Sequence, residues 1–222
     1  MGEINELRRV RVEKEDKLKS LGINVRPDRF EITHSLKDAR LLEEGVSDVA
    51  VAGRVMSKRK MGKISFLDLR DVEGRIQLCI KKDEVGEETY KLIHETLDVG
   101  DFIGVKGETF VTQTGEKTIR VKEYTFLGKS LRPLPEKFHG ITNQEIMYRE
   151  RHLDLIMNEE TKKRFLLRSK FIKLMREFLG NRDFIEVETQ VLQNNASGAT
   201  ARPIVTHHNT YNTDVYLRIS PE

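Results

Sequence analysis

Residues 64–80, ISFLDLRDVEGRIQLCI, alternate in character on either side of Glu73-Gly74. Successive strand side chains point to opposite faces, so the stretch predicts two strands joined by a tight turn. Leu67 and Leu69 share one face of the first strand, and Ile76, Leu78 and Ile80 share one face of the second. These five are candidate core. Phe66 and Gln77 fall on the other face, where water is expected.

The flanking sequence extends this pattern. Strands are expected at Asp48–Lys58, Ile64–Arg70, Arg75–Lys81, Phe102–Thr112 and Thr118–Leu127. Turn signals stand at Met61-Gly62-Lys63, Glu73-Gly74, Gly100-Asp101 and Thr114-Gly115. Between the third and fourth strands, Tyr90, Ile93 and Leu97 have helical spacing. Five strands with a helix after the third is the order of an OB-fold, a five-stranded Greek-key barrel. Its strand 2–3 face is a common surface for oligonucleotides. An outward Phe66 there offers a flat apolar partner for a base, and Gln77 offers polar groups for a base edge. The alternative is that a loop or the N-terminal helices cover Phe66.

Composition narrows the class. Hydrophobic content is 37% and charged content 34%, which fits a packed chain rather than a disordered one. A net charge of +3 does not identify a nucleic-acid partner but leaves room for local basic patches. The lone cysteine, Cys79, excludes an intrachain disulfide and fits a reducing cytosol. No apolar run reaches membrane-spanning length, and the N-terminus lacks the apolar stretch of a secretion signal. No metal site is expected. His207 and His208 are adjacent on a strand and point apart, and a hairpin turn accounts for Asp71 and Glu73.

Outside the barrel, residues 1–46 read as a helical extension. A helix is expected over 3–21, with Ile4, Leu7, Val10, Leu18 and Leu21 as an apolar stripe and Gly22 as a stop. Its Arg8, Arg11, Lys14 and Lys17 are either a solvated face or an arm that touches phosphate. A second helix is expected near Ser35–Leu42, capped by Ser35. Residues 47–128 form the barrel. Residues 129–158 form a connection: Pro133 and Pro135 interrupt regular structure, and NQEIMYRERHLDLIM after them reads as helix. From 159 a mixed domain begins, with a helix capped by Asn158 and a strand at Phe184, Ile185 and Val187. Two further strands follow around PIVTHHN and TDVYLRI. A domain begun at 159 is expected to run past 222, so the chain reads as a fragment or a naturally truncated chain.

Several segments in order, GRVMSKRKMGKISFLDLRDVEGRIQL, LRPLPEKFHG, YRERHLDLI, FIEVET, GATARPIVTHHN and YLRISPE, resemble class II lysyl-tRNA synthetases. The resemblance runs from about Val49 to Glu222. Aspartyl- and asparaginyl-tRNA synthetases share the barrel and the YRERHLDLI-like segment, while FHG and TARPIVTHHN favour the lysine branch.

The resemblance implies an α+β multidomain protein: an N-terminal five-stranded OB-fold barrel with flanking helices, then the start of an antiparallel class II catalytic domain. It implies a tRNA(Lys) partner, with ATP and Mg2+ used by the full-length enzyme to activate lysine. It also implies a cytoplasmic homodimer. Phe66 matches an aromatic that stacks on the central anticodon uridine, and Gln77, Arg59 and Glu116 match other anticodon-contacting positions. Gly198 and Glu222 match lysine-binding positions. Phe165, Ile172, Met175 and Leu179 lie on the helix that builds the dimer interface in such enzymes. Two departures stand out: Gln190 replaces a proline, and Ser197-Gly198-Ala199 replaces a double-glycine start. The motifs that hold ATP are expected beyond Glu222, so these residues alone are expected not to catalyse. The remaining alternatives are a fragment of an aspartate or asparagine ligase and a non-catalytic OB-fold module that binds tRNA.

Overall fold

A computed structural model describes residues 2–135, 141–196 and 200–220, with side chains from 6 onward. It divides into two compact units, 1–142 and 143–222, each described by itself.

The first unit is a closed barrel with strand order β1-β2-β3-β5-β4. The strands are β1 (Val49–Met61), β2 (Ile64–Arg70), β3 (Arg75–Lys81), β4 (Phe102–Val111) and β5 (Lys117–Gly128). β1 runs three residues past the expected Lys58, because its ladder with β2 continues to the Met61–Ile64 pair at the Gly62 turn. Gly62 has a φ of 61°, a left-handed value that glycine adopts without steric cost. β1 serves two partners. Val49 to Arg54 pair with β4, and Arg54 to Met61 pair with β2 across a bulge between Val55 and Ser57. β3 and β5 pair in parallel and complete the circle.

Leu67, Leu69, Ile76, Leu78 and Ile80 are all core, at most 2% exposed, as alternation predicts. The expected single helix after β3 is two, α3 (Lys82–Val85) and α4 (Glu87–Thr96). Gly86, with φ 85°, separates them. α4 closes the barrel mouth with Tyr90 and Ile93, and Leu97 follows at its C-cap. Lys58 Nζ donates to the carbonyls of Ile93, His94 and Leu97 at 3.0, 3.2 and 2.9 Å, at the negative end of the α4 dipole. Burial pushes the Lys58 pKa down to about 8.

The helices α1 (Gly2–Ser20) and α2 (Leu36–Leu41) pack on the barrel. Ser35 caps α2 as expected, accepting from Asp38 N at 3.1 Å. Asp71 accepts from the backbone of Glu73 and Gly74 in the β2–β3 turn and from Leu36 N. It thereby ties that turn to α2. Of the apolar stripe expected on α1, Leu18 joins the core, while Leu7, Val10 and Leu21 are exposed and the Ile4 side chain lies outside the described ones. Cations add to the docking of the helix. Arg11 donates to Ser130 O and Val99 O, Lys14 meets Asp98 at 2.6 Å, and Lys17 meets Glu95 at 2.6 Å. Asp98 is shared, since its other oxygen lies 2.7 Å from Lys129 Nζ. The Lys129 side chain is fully buried and also meets Asp101 at 2.7 Å and Thr96 O at 2.6 Å. Burial alone would raise the Asp98 pKa, but the hydrogen bonds from Lys129 and Lys14 outweigh it and hold the carboxyl below its ordinary value.

The second unit holds α5 (Gln144–Arg149), α6 (Arg151–Met157), α7 (Glu159–Gly180) and a small sheet of β6 (Leu192–Gln193), β8 (Thr213–Leu217) and β7 (Val205–His208), in that order. The helix expected over 143–157 breaks at Glu150, whose ψ of 53° leaves the helical region. Asn158 does not cap α7 with its side chain. It donates instead to the buried Asp154, which also accepts from Arg151 and Thr161. The strand expected at Phe184–Val187 is absent: Phe184, Ile185 and Val187 are 65%, 85% and 73% exposed, and no described strand pairs with them. β propensity does not make a strand without a ladder to join. α7 carries two apolar rows rather than one. Phe165, Met175 and Leu179 are exposed and Ile172 is half-buried, while Leu167, Phe171, Leu174 and Phe178 form a second exposed row.

Two outcomes follow for stability. Lys129→Ala should cost about 3–5 kcal/mol in urea unfolding, because it strands Asp101, a buried carboxylate, without its cation. The second outcome concerns pH. His94 Nε2 lies 2.7 Å from Ser65 Oγ, and burial, aided by Lys58 and Lys60, pushes its pKa down to about 4. The folded state therefore disfavours imidazolium. Its contribution is complete above the unfolded value of 6.5 and declines as pH falls from there toward about 4. Urea midpoints measured from pH 7 to 4 should fall less steeply in His94→Gln than in the parent.

Candidate nucleic-acid interface

The outward face of β1, β2, β3 and β5 is ordered in two rows by strand register. In one row Arg59 stands opposite Phe66, Phe66 opposite Cys79, and Cys79 beside Arg120. In the next, Ser57 stands opposite Asp68, Asp68 opposite Gln77, and Gln77 beside Thr118. Directly opposed residues have Cβ atoms roughly 4.5–5.5 Å apart, and diagonal neighbours lie roughly 7–8 Å apart. Phe66 is thus in direct cross-strand contact range of Arg59 and diagonal to Gln77. Phe66 is half-buried, and its neighbours Ser65 and Leu67, pointing the other way, are 0% and 1% exposed. Arg59 is exposed, with no ion-pair partner among the described residues.

Gln77 is held from one side. Its Nε2 donates to Thr118 Oγ1 at 3.3 Å, and Thr118 donates on to the Glu116 carbonyl at 3.1 Å. This leaves the amide's carbonyl oxygen and second N–H for another partner. Glu116 lies in the β4–β5 turn, which Gly115 shapes with φ 80° and Thr112 closes by accepting from Glu116 N at 3.0 Å. The Glu116 carboxylate is half-exposed and 3.5 Å from Arg40 of α2. The strand register and this relay place Arg59, Phe66, Gln77 and the Glu116 turn at one side of the barrel.

One further residue of the face, Arg120, lies outside residues 64–80. Arg120 lies over the Phe110 ring, 4.9 Å from its centroid, and its Nε is 3.7 Å from Glu84. Alternation along β5 places Arg120 with Thr118, but only the parallel pairing with β3 brings it beside Cys79. Burial pushes the Cys79 thiol pKa up, so the sulfur packs the face as an unreactive thiol.

The two lysine-site candidates, Gly198 and Glu222, lie outside the described residues. No group of His, Cys, Asp or Glu among the described residues is arranged to hold a metal. His207 is hydrogen-bonded to Asp214 at 2.8 Å. Among the described residues no helix is long and apolar enough to cross a membrane.

Residues 49–127 match the family model of the OB-fold nucleic acid binding domain, and residues 143–222 match that of the class II tRNA synthetases (D, K and N). The chain is similar to the lysine–tRNA ligase of Thermoanaerobacter pseudethanolicus, at 51% identity over 223 residues. It is 47% identical to that of Carboxydothermus hydrogenoformans over 222 residues, and 47% to that of Lactococcus lactis subsp. cremoris over 230. Each alignment takes in 99% of this chain but 44%, 45% and 46% of the respective relative.

The two sides of β2 separate in a stability measurement. Leu67→Ala should cost about 2–5 kcal/mol in urea unfolding, as leucine truncations in cores do. Phe66→Ala should cost well under that.

Proposed function

We propose that the chain belongs to the class II tRNA synthetases as a lysine–tRNA ligase, and that its barrel reads the anticodon of tRNA(Lys). The arrangement that carries this reading is a half-buried Phe66 ring between a free guanidinium, Arg59, and an amide, Gln77, oriented from behind. The ring is the platform for the central uridine, since stacking needs only a flat apolar face. Gln77 reads a base edge with the groups that Thr118 leaves unused. Arg59 supplies a fork of donors to a base or phosphate. Glu116 accepts an imino hydrogen, exchanging its contact with Arg40 for one with the base.

For the whole protein we propose activation of lysine by ATP with Mg2+, and transfer of the lysyl group to tRNA(Lys). Gly198 and Glu222 then belong to the lysine site, and Phe165, Ile172, Met175 and Leu179 of α7 to a homodimer contact. The exposed apolar rows of α7 support that contact. A cytoplasmic location goes with this role. The barrel's part in the reaction is recognition, by stacking on Phe66 and hydrogen bonding through Gln77.

Fluorescence anisotropy with a labelled lysine anticodon stem-loop tests the reading. Phe66→Ala should weaken binding by about 1–3 kcal/mol, the range for one lost base stack, with a smaller loss for Gln77→Ala. A Phe66→Ala protein that binds as tightly as its parent would overturn the stacking role. Equal affinity for an aspartate stem-loop would overturn the assignment to lysine.

A further inference from the structure

The other side of the β1–β2 hairpin borders a second feature. A cleft of about 380 Å³ lies between the hairpin tip and α4. Four lysines line it: Lys60 and Lys63 from the tip, Lys82 from α3 and Lys91 from α4. Tyr90 and His94 form its inner wall. Two carboxylates also border it, but both are engaged. Glu87 is 2.5 Å from Lys82, and Glu95 meets Lys17 at 2.6 Å and Lys91 at 3.9 Å. Lys60 and Lys63 have no ion-pair partner among the described residues. The lining carries a surplus of two positive charges, and the two unpaired cations sit together at the tip.

The wall is built rather than incidental. Tyr90 OH donates to Gly62 O at 3.2 Å and lies 2.9 Å from Ser65 Oγ, which in turn meets His94 Nε2. These contacts pin the tip to α4 and fix the width of the cleft. His94 stays neutral there at physiological pH, so the lysines alone supply the charge.

Register relates the cleft to the outward face. Lys60 is opposite Ser65, which points into the barrel mouth, while the preceding pair, Arg59 and Phe66, points outward. Adjacent positions of the hairpin therefore border the aromatic platform on one side and the cleft on the other. We propose that this cleft binds a backbone phosphate of the RNA strand whose bases lie on the outward face. This rests on the reading of that face as an RNA site. An open cleft holds a free anion weakly, because water screens it. A phosphate tethered to a stacked base arrives at high effective concentration, and two unpaired lysines then suffice.

The test is a salt series on the Lys60→Gln/Lys63→Gln double variant, with Lys19→Gln/Lys106→Gln as a control of equal charge. All four lysines are exposed, and unchanged melting curves confirm folding. With a labelled lysine anticodon stem-loop, one lost phosphate contact on a single strand lowers the slope of log affinity against log salt by about 0.7. Between 50 and 200 mM salt the parent should lose affinity about 2–3-fold more than the double variant, from that slope. The control should keep the parent slope. An unchanged slope in the double variant overturns the proposal. Should the parent fail to bind the stem-loop at all, the outward-face reading falls and inorganic phosphate decides the cleft. Amide shifts at residues 60–64 and 87–91, absent in the double variant, would uphold a phosphate site, and no shifts in the parent would overturn it.

Discussion

Barrel closure depends on how β1 divides itself between two partners. Its first half pairs with β4 and its second half with β2, with Arg54 in both ladders. The bulge after Val55 turns the strand from one to the other, as bulges do by adding a residue and local twist. The start of β4 is clipped to this point: Val55 N donates to Asp101 O, and Gly100 N donates to Val55 O. Asp101 in turn receives Lys129 and the Ser130 backbone. Closure and ionic anchoring therefore meet at the same place, where Asp98 passes the connection on to Lys14 of α1. The wall that carries Phe66 and Gln77 is held in curvature by that junction.

What could be read in advance follows from how local each determinant is. β2 and β3 have the expected ends because alternation and the Glu73-Gly74 turn lie within one 17-residue stretch. Ser35 marks the start of α2 because a cap bonds only three residues ahead. The docking of α1 could not be read that way. Its partners Asp98 and Glu95 lie 84 and 78 residues further along the chain, and the stripe Leu7, Val10 and Leu21 points to solvent. The segment at Phe184–Val187 shows the same limit in reverse, with strand composition and no ladder among the described residues.

The interface divides similarly. That Phe66 and Gln77 share a face is written in the period of two. That Arg59 stands beside the ring, and that Gln77 is oriented by Thr118, depends on pairings with β1 and β5. The β3–β5 pairing joins residues 41 apart, and no short stretch announces it. Arg120 escaped notice for this reason. The carboxylate of Glu116 reads as a solvated turn until α2 brings Arg40 to it.

The Met61–Gly62–Lys63 tip has a consequence for how such a chain can diverge. Its two strands present different chemistry on their two sides, with Arg59 and Phe66 outward and Lys60 and Ser65 toward the mouth. A single residue inserted in either strand would exchange those sides, because strand faces alternate with a period of two. The ring would enter the barrel mouth and the small hydroxyl would surface. Length changes in this hairpin are therefore confined to pairs, or to bulges that absorb the odd residue. Descendants should vary more freely in what stands at the tip than in how many residues form it.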